Sequence, residues 1–343
     1  MKKALSITAA LLLAMLLAAG CAMNGTKRYS VADLTLFDTV TTVTGYAASQ
    51  AAFDEAVRPI FAELSDYNKL YDIYHTYDGI NNLKTVNDAA GGAPVAVDGR
   101  IIALLQFGRE LYTLTDGQVN ILYGSVLSLW HDARTEALDD PAHAKLPDEA
   151  ALAEAAKHTD IGGLVIDEEN GTVRLTDPLS RIDVGAIAKG FAAEQVKRNA
   201  PEGLLINVGG NICVTGANPG TGKPWNIGVQ NPTDGGQTIL HTVAVSAGAV
   251  VSSGDYQRTF TVNGVDYHHI IDPTTGYPAA RWRGVTVVCD DSGIADGLST
   301  ALFLLDRSAG EALLRRYDAE ACWVDTSGAV QLSAGYAEGI ASF

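Results

Sequence analysis

The sequence predicts an α+β fold, with mixed or antiparallel sheets flanked by helices, and three observations lead there. Runs rich in β-branched residues, bounded by Gly, Asn and Pro, recur from residue 203 to residue 332. Four other stretches carry apolar residues at helical spacing or open on helix start signals. The two kinds of segment do not alternate strand, helix, strand, which excludes a doubly wound parallel sheet.

The elements follow in chain order. Lys2 and Lys3 precede an uncharged, Leu- and Ala-rich stretch from Ala4 to Met23, the form of a secretory signal. It contains Ala18-Ala19-Gly20-Cys21, which resembles a bacterial lipoprotein processing box, where the Cys becomes the lipidated N-terminus. The expected division is a signal peptide over 1–20, a polar tether over 21–30 and a folded unit over 31–343, built as one or two closely packed lobes. Residues 34–46 read as strand. Phe53, Val57, Ile60, Phe61, Leu64 and Tyr71 place an amphipathic helix over 50–72, and a second is expected over 99–114. Asn170-Gly171 between two short apolar runs predicts a hairpin over 164–175. A helix should begin after Asp183 and stop before Pro201. Strands are expected at 203–208, 225–230, 241–252, 258–262, 266–271 and 284–289. A helix at 294–305 and a strand pair near 321–332 complete the chain.

Charge narrows the function. Forty acidic and 24 basic residues give 343 residues a net charge of −16, and no run of Lys or Arg offsets it. Such a surface repels phosphate backbones, so nucleic acid is an unsuitable partner. After Cys21 three cysteines remain, Cys213, Cys289 and Cys322, with no CxxC pair. That pattern indicates neither a disulfide framework nor a zinc site, and each reads as a buried strand thiol.

Several motifs could carry chemistry. Gly222-Lys223 lacks the Ser or Thr that a P-loop needs, because Pro224 follows. No G-x-G-x-x-G opens a helix and no G-x-S-x-G is present, so a nicotinamide site and a serine hydrolase lack their signatures. His268 and His269 are adjacent on an expected strand, which would send them to opposite faces. Asp183 and Lys189 flank a strand-to-helix turn, where an anion could meet free N–H groups or Asp183 could simply cap the helix. Gly190 inside that helix is costly relative to Ala, so something should need its missing side chain. Asp296 and Thr300, four apart, share one helix face and offer hard oxygens of the kind Mg²⁺ takes. Thr300 could instead bond back to its own helix.

Read together, these segments resemble one family. Phe37-Asp-Thr39, Tyr77 with Asn81-Asn-Leu-Lys-Thr-Val-Asn87, and Asp116-Gly-Gln-Val-Asn-Ile121 with Leu129-Trp130 come first. Ile182-Asp-Val-Gly-Ala-Ile-Ala-Lys-Gly190, Asn207-Val-Gly-Gly-Asn211, Ser253-Gly-Asp-Tyr256, His268-His-Ile-Ile-Asp-Pro-Thr-Thr-Gly276 and Ala295-Asp-Gly-Leu-Ser-Thr300 follow in order. From Phe37 to about Leu305 the chain resembles the ApbE-type flavin transferases, or FAD:protein FMN transferases.

That resemblance implies the ApbE-type fold and a Mg²⁺-dependent transfer of FMN from FAD to a Thr or Ser hydroxyl of a partner protein, with release of AMP. Carried over by position, Phe37, Tyr77, Gln118, Val119, Asn120, Asp183, Lys189 and Ile271 are the expected FAD contacts. Asp296, Thr300 and the main-chain oxygen of Ala186 are the expected metal ligands. Phe37-Asp38-Thr39 departs from the Met-Gly-Thr of many members, Asn120 stands where many have Asp, and Tyr74 competes with Tyr77 for one role. His269 and Asp255 are the candidate bases, His269 being favoured. Implied partners are subunits of Rnf- or Nqr-type membrane redox complexes or an extracellular flavin reductase, reached from the outer face of the cytoplasmic membrane or the periplasm. An FAD pyrophosphatase and a non-catalytic flavin-binding lipoprotein are the alternatives.

Overall fold

The structure is a computed structural model that describes residues 25–337. The signal peptide and Cys21 lie outside the described residues. The centre of the fold is an eight-stranded sheet whose spatial order follows chain order. Its strands are β1 (Lys27–Asp33), β2 (Thr41–Ala47), β3 (Leu205–Val208) and β4 (Asn211–Val214). Then come β5 (Gly248–Gly254), β6 (Trp282–Cys289), β7 (Glu320–Asp325) and β8 (Val330–Leu332). Every adjacent pair is antiparallel. The expected α+β class holds.

Among the described residues five helices exceed ten residues: α1 (Gln50–Tyr71), α2 (Gly99–Leu114), α3 (Gly124–Asp139), α4 (Ala188–Asn199) and α5 (Ser292–Leu304). In α1 the buried residues Phe53, Val57, Ile60, Leu64, Tyr67 and Tyr71 recur every three or four positions, and Ser49 caps its start through Ala52 N–H. Helices α1, α4 and α5 cover one face of the sheet. Ala249, Val251, Val285 and Val287 enter that core, while the alternate residues Val250 and Val288 turn to the other face. There a hairpin of Trp225–Gln230 and Ile239–Val245 seals a second core with Trp225, Ile227 and Val243. With both faces covered, these central strands lose polar alternation and become the apolar runs seen in the sequence.

The strand expected over 34–46 begins only at Thr41, after a tight turn at Leu36–Asp38, and other expectations change as well. Residues 27–30, assigned to the tether, belong to β1, whose register on β2 begins at Lys27 opposite Ala47. The single strand expected over 241–252 is two, broken at Ser246-Ala247 just before Gly248, whose φ of +89° suits glycine. Residues 266–271 divide into Val265–Tyr267 and Ile271–Asp272, leaving His268 and His269 between strands. Helix α3 had no prediction, because its buried residues Val126, Trp130 and Ala137 are too sparse to set a clear period.

Candidate active site

One cavity of about 490 Å³ opens beside the helix-covered face, within the roughly 300–1,000 Å³ of small-molecule pockets. Phe37, Tyr77, Gln118, Val119, Asn120, Asp183, Ala186, Lys189, Ile271, Asp296 and Thr300 all line it, as do His269 and Tyr74. Asp255 does not. It pairs with Arg283 at 3.2 Å, so the alternative base is committed elsewhere.

Asp296 is the buried acid of the site. Helix α5 is apolar almost all round and buried almost throughout, as a central helix should be. A carboxylate there needs partners, and Oδ2 accepts from Gly190 N–H and from Asn211 Nδ2, both at 2.8 Å. Burial still pushes its pKa above the ordinary carboxylate range, against the pull of Lys189 and these two donors. Gly190 needs its missing side chain, since a Cβ there would overlap the Ser292 carbonyl oxygen and the Asp296 Cβ.

The turn before α4 carries the next groups. Asp183 Oδ1 accepts from Gly185 N–H at 2.8 Å, and Lys189 Nζ donates to the Gly185 carbonyl at 3.3 Å. Asp183 is raised by burial, and Gly185 N–H, Arg258, His131 and Lys189 draw it back. The Asn120 amide is engaged on both sides, accepting from Leu122 N–H and donating to the Thr159 carbonyl, each at 2.8 Å. Its side chain therefore shapes the loop. Tyr77 donates its hydroxyl to Asp72 at 2.8 Å, whereas Tyr74 lies stacked on His131 with ring centroids 4.9 Å apart.

Phe37 and Asp38 both adopt left-handed backbone, φ +54° and +52°. Asp is one of the few residues other than Gly that tolerates such backbone.

Because His268 and His269 sit between strands, both reach the cavity wall, contrary to the opposite-face expectation. His268 donates from Nε2 to the Ala279 carbonyl at 2.8 Å and accepts at Nδ1 from Ile270 N–H, so both nitrogens are used. His269 donates from Nδ1 to the Gln257 carbonyl at 3.1 Å, which leaves Nε2 as a free acceptor. Desolvation in the cavity wall, helped by Arg258, His268 and Lys189, holds its pKa down to about 3. It is a neutral base at physiological pH.

Among the described residues no group of three His, Cys, Asp or Glu side chains could hold a metal. One buried carboxylate with a neighbouring hydroxyl and a main-chain oxygen suits a hard ion that completes its shell with water or substrate phosphate. Those residues fit Mg²⁺. Sequence reasoning missed Asn211 as the partner of Asp296, together with Arg134, His131 and Arg258 in the cavity; Asn211 lay inside a quoted motif, the others in none.

Residues 37–323 match the ApbE family. The FAD:protein FMN transferase of Treponema pallidum is 34% identical, the match covering 74% of this chain and 73% of that protein. The Klebsiella pneumoniae protein of the same name is 32% identical over 72% of this chain and 76% of its own. The crystal structure of the ApbE protein from Thermotoga maritima superposes with a TM-score of 0.77 at 28% identity, covering 91% of this chain and 99% of that one.

Proposed function

The chain belongs to the ApbE family, and we propose that it is a Mg²⁺-dependent FAD:protein FMN transferase that releases AMP. One observation carries this reading. The residues that the family motifs place on FAD and metal, scattered from Phe37 to Thr300, line a single cavity with a neutral histidine in its wall.

The chemistry is chiefly positioning and charge neutralisation. Asp296, Thr300 and the Ala186 carbonyl would hold the cation, which neutralises pyrophosphate charge when bound. Lys189 adds a further positive charge beside Asp296. The acceptor hydroxyl oxygen attacks the FMN-side phosphorus, and His269 Nε2 takes its proton. The bond from that phosphorus to the bridging oxygen breaks, and its electron pair leaves with the AMP phosphate. Asp183 offers an acceptor to an N–H or O–H of the dinucleotide.

The lipoprotein reading adds location: Cys21 as the lipidated N-terminus would hold the enzyme at the outer face of the cytoplasmic membrane. The acceptor would then be a Thr- or Ser-bearing subunit of a membrane redox complex or an extracellular flavin reductase.

The test is to incubate the leaderless protein with FAD, Mg²⁺ and an acceptor peptide carrying one Thr, beside its Thr→Val counterpart. Covalent FMN mass on the Thr peptide alone, with AMP, is the expected product. Free FMN and AMP with both peptides would instead identify a pyrophosphatase.

A further inference from the structure

Two arginines of the cavity have no role in the chemistry above. Arg134 projects from α3 and Arg258 from the turn that follows β5. Arg283 and Arg307 are paired with carboxylates, but neither Arg134 nor Arg258 has one within 4 Å among the described residues. Arg134 Nε is buried without a partner.

Arg258 is tied to the base by the backbone. The Gln257 carbonyl is the group that accepts from His269 Nδ1–H, so one turn both orients the imidazole and carries the arginine. Arg258 takes φ +50°, a left-handed conformation that few side chains other than Gly, Asn or Asp adopt readily. From that turn Arg258 lines the cavity. Its charge also bears on His269 and Asp183, helping to keep the imidazole neutral.

We propose that Arg258 is a catalytic residue that binds the non-bridging oxygens of the phosphorus under attack, with Arg134 as the second cation behind it. This rests on the flavin-transfer reading and extends it. On the flavin-transfer reading, Lys189 and the metal-binding oxygens would meet the ground-state pyrophosphate. A cation on the same turn as the anchor of the base stands instead where the acceptor hydroxyl must approach. There, charge on the equatorial oxygens is redistributed as the new P–O bond forms and the bond to the bridging oxygen breaks. An arginine suits this better than a lysine, because its planar fork can meet two oxygens at once.

The experiment compares wild type with Arg258→Ala, Arg258→Lys and Arg134→Gln, measuring FAD affinity by flavin fluorescence and transfer rate at saturating FAD and Mg²⁺. Removing one preorganised donor to developing charge costs about 10²–10³-fold in rate. Arg258→Ala should lose that much, with FAD affinity within about threefold of wild type. Guanidinium at millimolar concentration should restore part of the rate. Arg258→Lys should fall between, and Arg134→Gln should show a smaller loss. An unchanged rate in Arg258→Ala, or an affinity loss as large as the rate loss, would overturn the assignment. Absence of covalent flavin with wild type itself would overturn the transfer reading, a separate result.

Discussion

Asp296 and Gly190 meet where α4 crosses α5: the Gly190 N–H donates to Asp296 Oδ2 at 2.8 Å, and no Cβ fits between the two helices at residue 190. One contact thus links helix packing to the only buried acid among the residues proposed to hold the metal. Gly190→Ala should lower stability by about 1–3 kcal/mol, as overpacking does, and raise the Mg²⁺ concentration needed for transfer together with it. Thermal unfolding and a Mg²⁺ titration on the same protein check this. An alanine variant with wild-type values in both would show that the helices can separate without cost.

Burial raises the Asp296 pKa, which sets the sign of a stability test. Folded protein then binds more protons than unfolded between the two values. That contribution is full below the ordinary carboxylate range and is lost as pH rises through the raised value. Metal-free wild type should therefore lose thermal stability relative to Asp296→Asn on moving from acid to neutral pH. The same variant should transfer flavin poorly at physiological Mg²⁺. A variant less stable than wild type by a constant amount at every pH would contradict the burial argument.

His269→Ala should retain FAD binding and lose about 10²–10⁴-fold in transfer rate, the usual worth of a general base. Since desolvation in the cavity wall, with Arg258, His268 and Lys189 nearby, holds this imidazole below its ordinary value, kcat/KM for FAD should not show an acid limb at the ordinary histidine value. A limb near pH 6.5 that vanishes in His269→Ala would contradict that environment.

Asp255→Asn separates the two candidate bases. Its carboxylate faces Arg283 and lies outside the cavity lining, so transfer should stay within a few-fold of wild type. Stability should fall by about 1–3 kcal/mol, the range for stranding a hydrogen-bonded partner. A rate loss as deep as that of His269→Ala would return Asp255 to the chemistry.

Much of this was legible in the sequence because it depends on local period and local motif. The limits of α1 and α2 follow from apolar spacing and caps, and the 164–175 hairpin from Asn170-Gly171. The cost of Gly190 was readable from its position inside a helix, although its contacts, Ser292 and Asp296, lie about a hundred residues away. Other features depend on contacts across the chain. Strand alternation separated His268 from His269, but the ladder ends at Tyr267, opposite Phe260, and hydrogen bonds to Gln257 and Ala279 set both rings. Asp255 read as a free acid until Arg283, 28 residues on, closed against it. Arg134 and Arg258 matched no motif, and only the fold brings them to one cavity.

On the proposed reading, Asp296, Thr300 and the Ala186 carbonyl hold the ion on which flavin transfer depends. The most direct measurement is transfer rate against Mg²⁺ concentration at saturating FAD for wild type, Asp296→Asn and Thr300→Ala. Hard cations favour anionic oxygen, so Asp296→Asn should need far more Mg²⁺ than Thr300→Ala, and EDTA should abolish the wild-type rate. A wild-type rate untouched by EDTA, or an Asp296→Asn variant with normal Mg²⁺ dependence, would contradict the account.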